Sequence, residues 1–262
     1  MPVDQIIQTF AAKEAEFRTE RDNFTYTQTF ICQTLDESNR VDGEYRLTSD
    51  IIFDGKGKRI EVVTNAPAPT LERVELTQED FNDLEHLYPF VLTTEDLPKY
   101  DIKYVDHVAL DELSTYTFDV APKTTEKNQR YFQGRIWVDD KDFQIVKTYG
   151  QGVPENRDTK KKGKGENLYP KFTTWREQVD NQYWFPTYTR ADDTLHFNVG
   201  DIHIREIVKY EDYKRFGSSV KILYQGQEVQ KGDQKDKDKD QKTPPDQKPD
   251  DKKPDAPPNS QK

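Results

Sequence analysis

The chain has 262 residues, a net charge of −10 and an aromatic content of 12%. An acidic chain is a poor non-specific ligand for nucleic acid, because that binding depends on Lys and Arg neutralising phosphates, so no nucleic-acid partner is expected. Cys32 is the only cysteine, which excludes an internal disulfide and a cysteine-based zinc site. No stretch approaches the roughly 18 apolar residues of a membrane-spanning helix.

The first element is predicted to be an amphipathic helix that ends near Arg21. Ile6, Phe10 and Phe17 recur at helical spacing. Most of the charged residues, with Glu14 among them, are assigned to the opposite side. A stripe of this kind is more often a core-facing surface than a partner site.

After this helix the hydrophobic period changes from 3.6 to 2, as it does in half-buried strands. Phe24, Tyr26 and Phe30 alternate with polar residues, and similar runs continue to Tyr210. About ten or eleven antiparallel strands are predicted in chain order. A meander of that length has to curl strongly or close, because a flat sheet would expose its edges.

A second, short helix interrupts the early strands. Thr77 and Asp80 are spaced almost as in a capping box, Phe81 and Leu84 supply an apolar side, and Pro89 ends the helix. The predicted fold class is therefore α+β, with a strongly curved antiparallel sheet, an N-terminal helix and short helices among the first strands.

Residues 225–262 are predicted to be a disordered tail rich in Lys, Asp and Pro. Residues 231–262 contain nine lysines, eight aspartates and six prolines, and no aromatic residue follows Tyr224. Such a segment cannot bury enough apolar area to offset an ordering cost of about 1–2 kcal/mol per residue. We expect a spacer here, which leaves residues 1–224 for one domain.

No catalytic motif stands out in the sequence. His196 and His203, with Asp192 and Asp193 nearby, could form a metal site of two histidines and a carboxylate, but ordinary strand surface is the favoured interpretation. We expect no metal, no cofactor and no enzymatic activity. The strand aromatics fit either a solid core or an apolar cavity, and composition alone favours the solid core.

Four short motifs carry a family resemblance. They are GRIWVD at residues 134–139, FQIVK at 143–147, FTTWRE at 172–177 and YWFPT at 183–187. The sequence resembles the LolA-like group of outer-membrane lipoprotein-sorting proteins over roughly residues 3–216, and it is most similar to the uncharacterised envelope members of that group.

The resemblance implies a half-open β-barrel with helices as a lid over an apolar cavity. Proteins of this shape carry acyl chains of lipoproteins or other lipids through the periplasm. No reaction is needed, because each buried CH₂ contributes about 0.8 kcal/mol. The implied protein is a monomeric, non-enzymatic carrier, with envelope membrane proteins as further partners.

The resemblance also implies which residues bind the lipid, although it leaves open which face of the sheet is concave. The expected lining and lid residues are all apolar or aromatic. They are Phe24, Tyr26, Phe30, Tyr45, Leu47, Ile60, Val62, Tyr116, Phe118, Ile136 and Val138 on the strands, and Phe10, Phe17, Phe81 and Leu84 on the lid helices.

The N-terminal residues show no basic region followed by an apolar one, so we expect either a cytoplasmic protein or a mature or truncated form of an exported one. Family resemblance favours the periplasm. Two other functions remain open. One is an interaction protein with a solid core that uses the lysine-rich loop at residues 160–164, and the other is a hydrolase with an unrecognised site.

Overall fold

The structure is a computed structural model that describes residues 1–54, 57–126, 129–154, 169–197 and 200–215, and the backbone of Ile222–Tyr224 and Gln227–Val229. The chain divides into two units, Met1–Lys231 and Gly232–Lys262. The second unit, which holds most of the predicted tail, lies outside the described residues. So does the lysine-rich loop at residues 160–164.

The described residues form two α-helices, one 3-10 helix and twelve strands. The helices are α1 (Val3–Arg21), α2 (Gln78–His86) and the 3-10 turn Leu97–Lys99. The strands are β1 (Phe24–Leu35), β2 (Val41–Phe53), β3 (Arg59–Asn65), β4 (Tyr100–Leu110), β5 (Leu113–Pro122), β6 (Tyr131–Asp139), β7 (Ile145–Val153), β8 (Phe172–Val179), β9 (Tyr183–Phe197), β10 (Gly200–Arg215), β11 (Ile222–Tyr224) and β12 (Gln227–Val229). Among the described residues, no helix is long and apolar enough to span a membrane.

Ten strands form one antiparallel sheet in the order β3-β2-β1-β10-β9-β8-β7-β6-β5-β4, and β11 and β12 pair separately. The sheet is curved and open, with β3 and β4 at its edges. The predicted fold class is therefore confirmed. The order of the strands differs from a simple meander, because β1 pairs with β10 and so joins the first and last parts of the series.

Strands β3 and β4 follow one another in sequence but lie at opposite edges of the sheet. Residues 66–99, which we call the crossing segment, therefore have to pass from one edge to the other. They do so over one face, where Leu84, Leu87, Tyr88, Phe90 and Leu92 are buried in the main core. The topology thus places a cover over the sheet.

Within the crossing segment, α2 begins at a capping box, as predicted. The Thr77 backbone N–H and hydroxyl both donate to Asp80 Oδ2, at 2.6 and 2.8 Å. This satisfies groups that the first turn of a helix leaves without an intrahelical partner.

We call the covered face the inner face. Residues directly opposite one another in an antiparallel ladder lie on the same face, so the register carries this assignment from strand to strand. Phe30 lies opposite both Leu47 and Val208, and Phe118 lies opposite Ile136. All of these side chains except that of Leu47 are buried in the main core.

The other face, the outer face, carries a different set of side chains. Trp137, Lys147, Trp175 and Tyr188 lie opposite one another in a row across β6, β7, β8 and β9. The Lys147 ammonium lies 5.0 Å from the ring centre of Trp137 and 5.6 Å from that of Trp175. The outer face therefore holds aromatic side chains that take no part in the core.

Candidate functional site

The inner face brings together most of the residues predicted to bind an acyl chain. The strand residues of this face, which we call the floor, are apolar and rich in aromatic rings. Helix α1 and the crossing segment, which we call the two covers, pack against the floor. The predicted residues found there are Phe24, Tyr26, Phe30, Tyr45, Leu47, Tyr116, Phe118, Ile136 and Val138 on the strands, and Phe10, Phe17, Phe81 and Leu84 on the covers.

The covers contact the floor ring against ring. Phe10 of α1 lies 5.4 Å from Phe118 between ring centres, and Phe17 lies 5.1 Å from Phe185. In the crossing segment, Phe90 stacks on Phe132 with ring centres 4.3 Å apart. The inner face is therefore occupied by side chains of the chain itself.

Two of the predicted residues, Ile60 and Val62, do not join this set. Glu61 lies opposite Ile51, which belongs to the main core, so the neighbours of Glu61 along β3 face the other way. The inner side of β3 carries charge instead, where Arg59 Nη1 lies 3.1 Å from Glu61 Oε2. The alternation along β3 was correct, but the predicted face was wrong.

A buried ion pair links α1 to the floor. Arg176 Nη1 of β8 donates to both carboxylate oxygens of Glu14, at 3.1 Å each, and the side chains of the two residues are 1% and 0% exposed. The Ile145 backbone N–H also donates to Glu14, at 3.0 Å. Burial raises the pKa of Glu14, and the contact with Arg176 opposes that effect.

Arg176 also holds the crossing segment. Its Nη2 donates to the Phe90 carbonyl oxygen, while its Nη1 is engaged by Glu14. One side chain of the floor is therefore bonded to both covers.

A second polar link joins the crossing segment to the floor through Tyr88. Its hydroxyl donates to Glu206 of β10, and its carbonyl oxygen accepts a bond of 2.7 Å from the Thr174 hydroxyl. Loss of hydration raises the pKa of Glu206 to about 7, and the nearby carboxylates of Asp80 and Asp83 push it in the same direction. Glu206 is thus a buried carboxyl under the cover.

Helix α2 of the crossing segment is bonded to Arg130, the residue directly before β6. Arg130 donates to Asp83 through Nε at 2.8 Å and Nη2 at 2.6 Å, and it also donates to the Pro154 carbonyl oxygen. Burial raises the pKa of Asp83, and the bonds from Arg130 oppose that effect.

Several buried polar atoms of the inner face have no hydrogen-bond partner in the described part of the chain. They include Ser49 Oγ, Thr148 Oγ1 and Arg176 Nε. Burying such an atom without a hydrogen bond lowers the stability of the fold by about 1–3 kcal/mol. The closed inner face is therefore not fully satisfied.

The sequence carries a signal for the burial of Glu14 and Arg176. Glu14 follows Phe10 by four residues and precedes Phe17 by three, so it belongs to the buried stripe of α1 and not to its charged side. Arg176 has the same parity as Phe172 and Thr174 along β8, which face inward. Charged residues at core-facing positions were the available signal.

The histidines do not form a metal site in the described residues. His203 Nε2 lies 2.7 Å from Asp192, and His196 Nδ1 lies 2.8 Å from Asp201, so each histidine has its own carboxylate. Among the residues described, no group of three or more His, Cys, Asp or Glu is placed to hold a metal ion. Asp193 accepts instead from the Lys171 backbone N–H, at 3.1 Å.

The structure also brings together a serine, a histidine and an aspartate that the sequence did not indicate as a group. His107 lies on β4, Ser114 on β5 and Asp140 directly after β6. Ser114 Oγ lies 2.9 Å and Asp140 Oδ2 3.0 Å from the same atom, Nε2 of His107. In a catalytic triad, one ring nitrogen of the histidine accepts the serine proton, and the other ring nitrogen donates to the carboxylate that orients the ring. The serine and the carboxylate therefore have to contact different ring nitrogens. This arrangement therefore lacks the geometry for nucleophilic catalysis.

The three motif tryptophans lie away from the inner face. Trp137 and Trp175 belong to the outer-face row, and Trp184 Nε1 donates to Asp142 Oδ2 at 3.0 Å. The tryptophans of these motifs therefore contact the outer face and a turn. The residues next to them, such as Ile136, Val138 and Phe185, belong to the inner face.

No protein-family model matches the chain, and no curated protein matches it. Among solved structures, it is similar to an outer membrane lipoprotein-sorting protein domain from Vibrio parahaemolyticus, with 12% identity and a TM-score of 0.36, covering 80% of this chain and 93% of that one. It is also similar to a LolA superfamily protein from Nitrosomonas europaea, with 13% identity and a TM-score of 0.34, covering 79% and 94%.

A further similar structure is the MucA/MucB complex of Pseudomonas aeruginosa, with 10% identity and a TM-score of 0.22, covering 79% of this chain and 99% of that one. The first two matches belong to the group that the sequence motifs resemble.

Proposed function

We propose that this chain is a non-enzymatic carrier that binds acyl chains of lipoproteins or other lipids on its inner face and transfers them through the cell envelope. The proposal includes the periplasm as its location, a monomeric state and envelope membrane proteins as handover partners. The observation that carries it is an apolar, aromatic sheet face closed by two covers that are held by side chains.

The covers are suited to exchange with a ligand. α1 and the middle of the crossing segment pack on the floor through rings such as Phe10 and Phe90, and their polar links run through Arg176, Thr174 and Glu206. An acyl chain could replace these ring contacts, since apolar burial is non-directional and scales with area. Binding then requires the covers to move and no bond to be made or broken.

The orphaned polar atoms support the same proposal. Ser49 Oγ, Thr148 Oγ1 and Arg176 Nε have no partner in the closed form within the described residues. A covering that leaves such groups unsatisfied is less stable than one that satisfies them, which lowers the free energy needed to open it.

The test is native mass spectrometry of the purified chain, followed by solvent extraction of any added mass. We expect a lipid adduct, and uptake of a dansyl-labelled fatty acid by the delipidated chain. Glu14→Gln removes the carboxylate that holds α1 to Arg176, so uptake should be faster than in the wild type. Glu16→Gln is the matched control on the exposed side of α1 and should leave uptake unchanged.

A second candidate is an interaction protein with a solid core. The close ring packing of Phe10 on Phe118 and Phe90 on Phe132 favours it. The same experiment separates the two functions. A clean apo mass, with no fatty-acid uptake by either the wild type or Glu14→Gln, would reject the carrier and leave the solid-core protein.

A further inference from the structure

The outer face holds a cleft of about 760 Å³ that the inner-face function does not use. It lies across β4, β5, β6 and β7, on the side of the sheet away from α1 and the crossing segment. Volumes of about 300–1,000 Å³ are typical of small-molecule sites. The cleft is therefore large enough to hold a ligand of its own.

Two aromatic rings lie on neighbouring strands of this cleft. Trp137 of β6 and Tyr149 of β7 are both among the lining residues; Tyr149 is 46% exposed, whereas Trp137 is half-buried with the Lys147 ammonium 5.0 Å from its ring centre. Aromatic rings at a surface offer a flat apolar area together with a polar group at the edge. Because the core lies on the other face, packing of the fold does not account for them.

Charged side chains surround the rings. Arg135 binds Asp119 through two bonds of 2.7 and 3.0 Å, which fixes both groups, and Lys103 lies opposite Asp119 on the edge strand β4. The cleft is lined by three cations, the third being Lys171, and by two carboxylates, the second being Asp101. A net positive lining on a chain of charge −10 favours an anionic ligand.

The position of the cleft also restricts the kind of ligand. Its centre lies over the paired strands β6 and β7, where Gly134 is opposite Gly150 and Gln133 is opposite Gln151, and only the Asp101 and Lys103 side reaches the edge strand β4. A peptide that binds by strand addition would pair with the free edge of β4, beside the rings of Trp137 and Tyr149 and not over them. A saccharide can bind through side chains alone. Aromatic rings of the protein pack against the C–H groups of the sugar, and amide or charged side chains bind its hydroxyl and acidic groups.

We propose that the outer cleft binds an acidic oligosaccharide, with Trp137 and Tyr149 stacking on its sugar rings and Lys103 and Lys171 pairing with its carboxylates. The inference concerns the face opposite the proposed lipid site, and its test needs no lipid. Failure of one proposal therefore leaves the other standing.

The test is calorimetric titration of the full chain with tetragalacturonate and with its methyl ester, which has the same sugar rings without the charges. We expect binding of the acid and at least about tenfold weaker binding of the ester. Trp137→Ala should weaken binding about tenfold, which is the effect of losing one good ring contact. Lys103→Ala should weaken binding of the acid and leave that of the ester unchanged.

Two matched variants serve as controls. Trp175→Ala removes a tryptophan from the same outer-face row as Trp137 but outside the cleft, and Lys209→Ala removes an exposed outer-face lysine of β10. Neither should change binding. Should Trp137→Ala fail to fold, Tyr149→Ala tests the same stacking contact at a more exposed position.

Three outcomes would overturn the proposal. One is the absence of binding of the acid, and another is an equal loss of affinity in the control variants. The third is binding of an octaglutamate peptide through Trp137 and Lys103 in place of the saccharide, which would assign the cleft to acidic polypeptides.

Discussion

Glu206 makes the stability of this fold depend on pH in a direction that is unusual for a carboxylate. Its side chain is buried on the inner face beneath Tyr88, and loss of hydration raises its pKa from the usual 4.5 to about 7. One pKa unit corresponds to about 1.36 kcal/mol, so ionising this group in the folded chain lowers stability by about 3 kcal/mol.

The sign follows from the proton count of the two states. Between pH 4.5 and about 7 the folded chain keeps the proton on Glu206, whereas the unfolded chain has released it. The contribution of Glu206 to stability is therefore complete below pH 4.5 and is lost as the pH rises through about 7. The pKa of the neighbouring Tyr88 is raised well above 10, so that hydroxyl does not titrate in this range.

The perturbation is Glu206→Gln, which keeps an acceptor for the Tyr88 hydroxyl and removes the titration. Urea unfolding at several pH values between 5 and 8.5 gives the free energy of unfolding of both proteins. We expect the variant to gain about 2.5 kcal/mol relative to the wild type on going from pH 5 to pH 8.5, because part of the roughly 3 kcal/mol effect is already lost at pH 5. Taking the difference cancels the pH effects that both proteins share.

Glu211→Gln provides the control, because Glu211 is an exposed carboxylate of the same strand. The free energy of unfolding of this control should change with pH as that of the wild type does. If the free energy of unfolding of Glu206→Gln shows the same pH dependence as well, then Glu206 is hydrated in solution, and the closed arrangement of Tyr88 over the inner face is wrong.

The remaining stability predictions concern the two covers. Glu14→Gln should lower the free energy of unfolding by about 3–5 kcal/mol, because it leaves the buried Arg176 charge without its partner, while the exposed Glu16→Gln should change it by less than about 1 kcal/mol in the same urea series. Phe10→Ala should lower it by about 3–5 kcal/mol through the cavity left against Phe118, whereas Tyr149→Ala on the outer face should have an effect within about 0.5 kcal/mol. Equal effects within either pair would show that burial in the closed form does not describe the chain in solution.

The period of the hydrophobic residues was enough to predict the elements of this fold. The alternation of Phe24, Tyr26 and Phe30 defines β1, and the change from helical to strand spacing occurs between Arg21 and Phe24, where the structure has it. These signals are local, since each depends on which side of one element meets the core.

Pairing between distant strands left no comparable signal. The β1–β10 pair joins Phe30 to Val208 across most of the chain, and nothing in either strand specifies the other. The same limit explains Ile60 and Val62, because alternation along β3 defines two faces without stating which is the inner one. Only the register against Ile51 decides it.

The placement of β3 and β4 at opposite edges also determines how the inner face can open. The crossing segment is fixed at both ends, where it leaves one edge strand and enters the other, so opening the inner face requires its middle, around Tyr88 and Phe90, to lift from the sheet. Arg176 bonds to Phe90 there and to Glu14 of α1 with the same guanidinium group. If α1 moves alone, the buried charge of Arg176 loses its carboxylate, and if the crossing segment moves alone, Arg176 loses the carbonyl oxygen. The two covers are therefore coupled through one side chain, and the inner face should open as a unit.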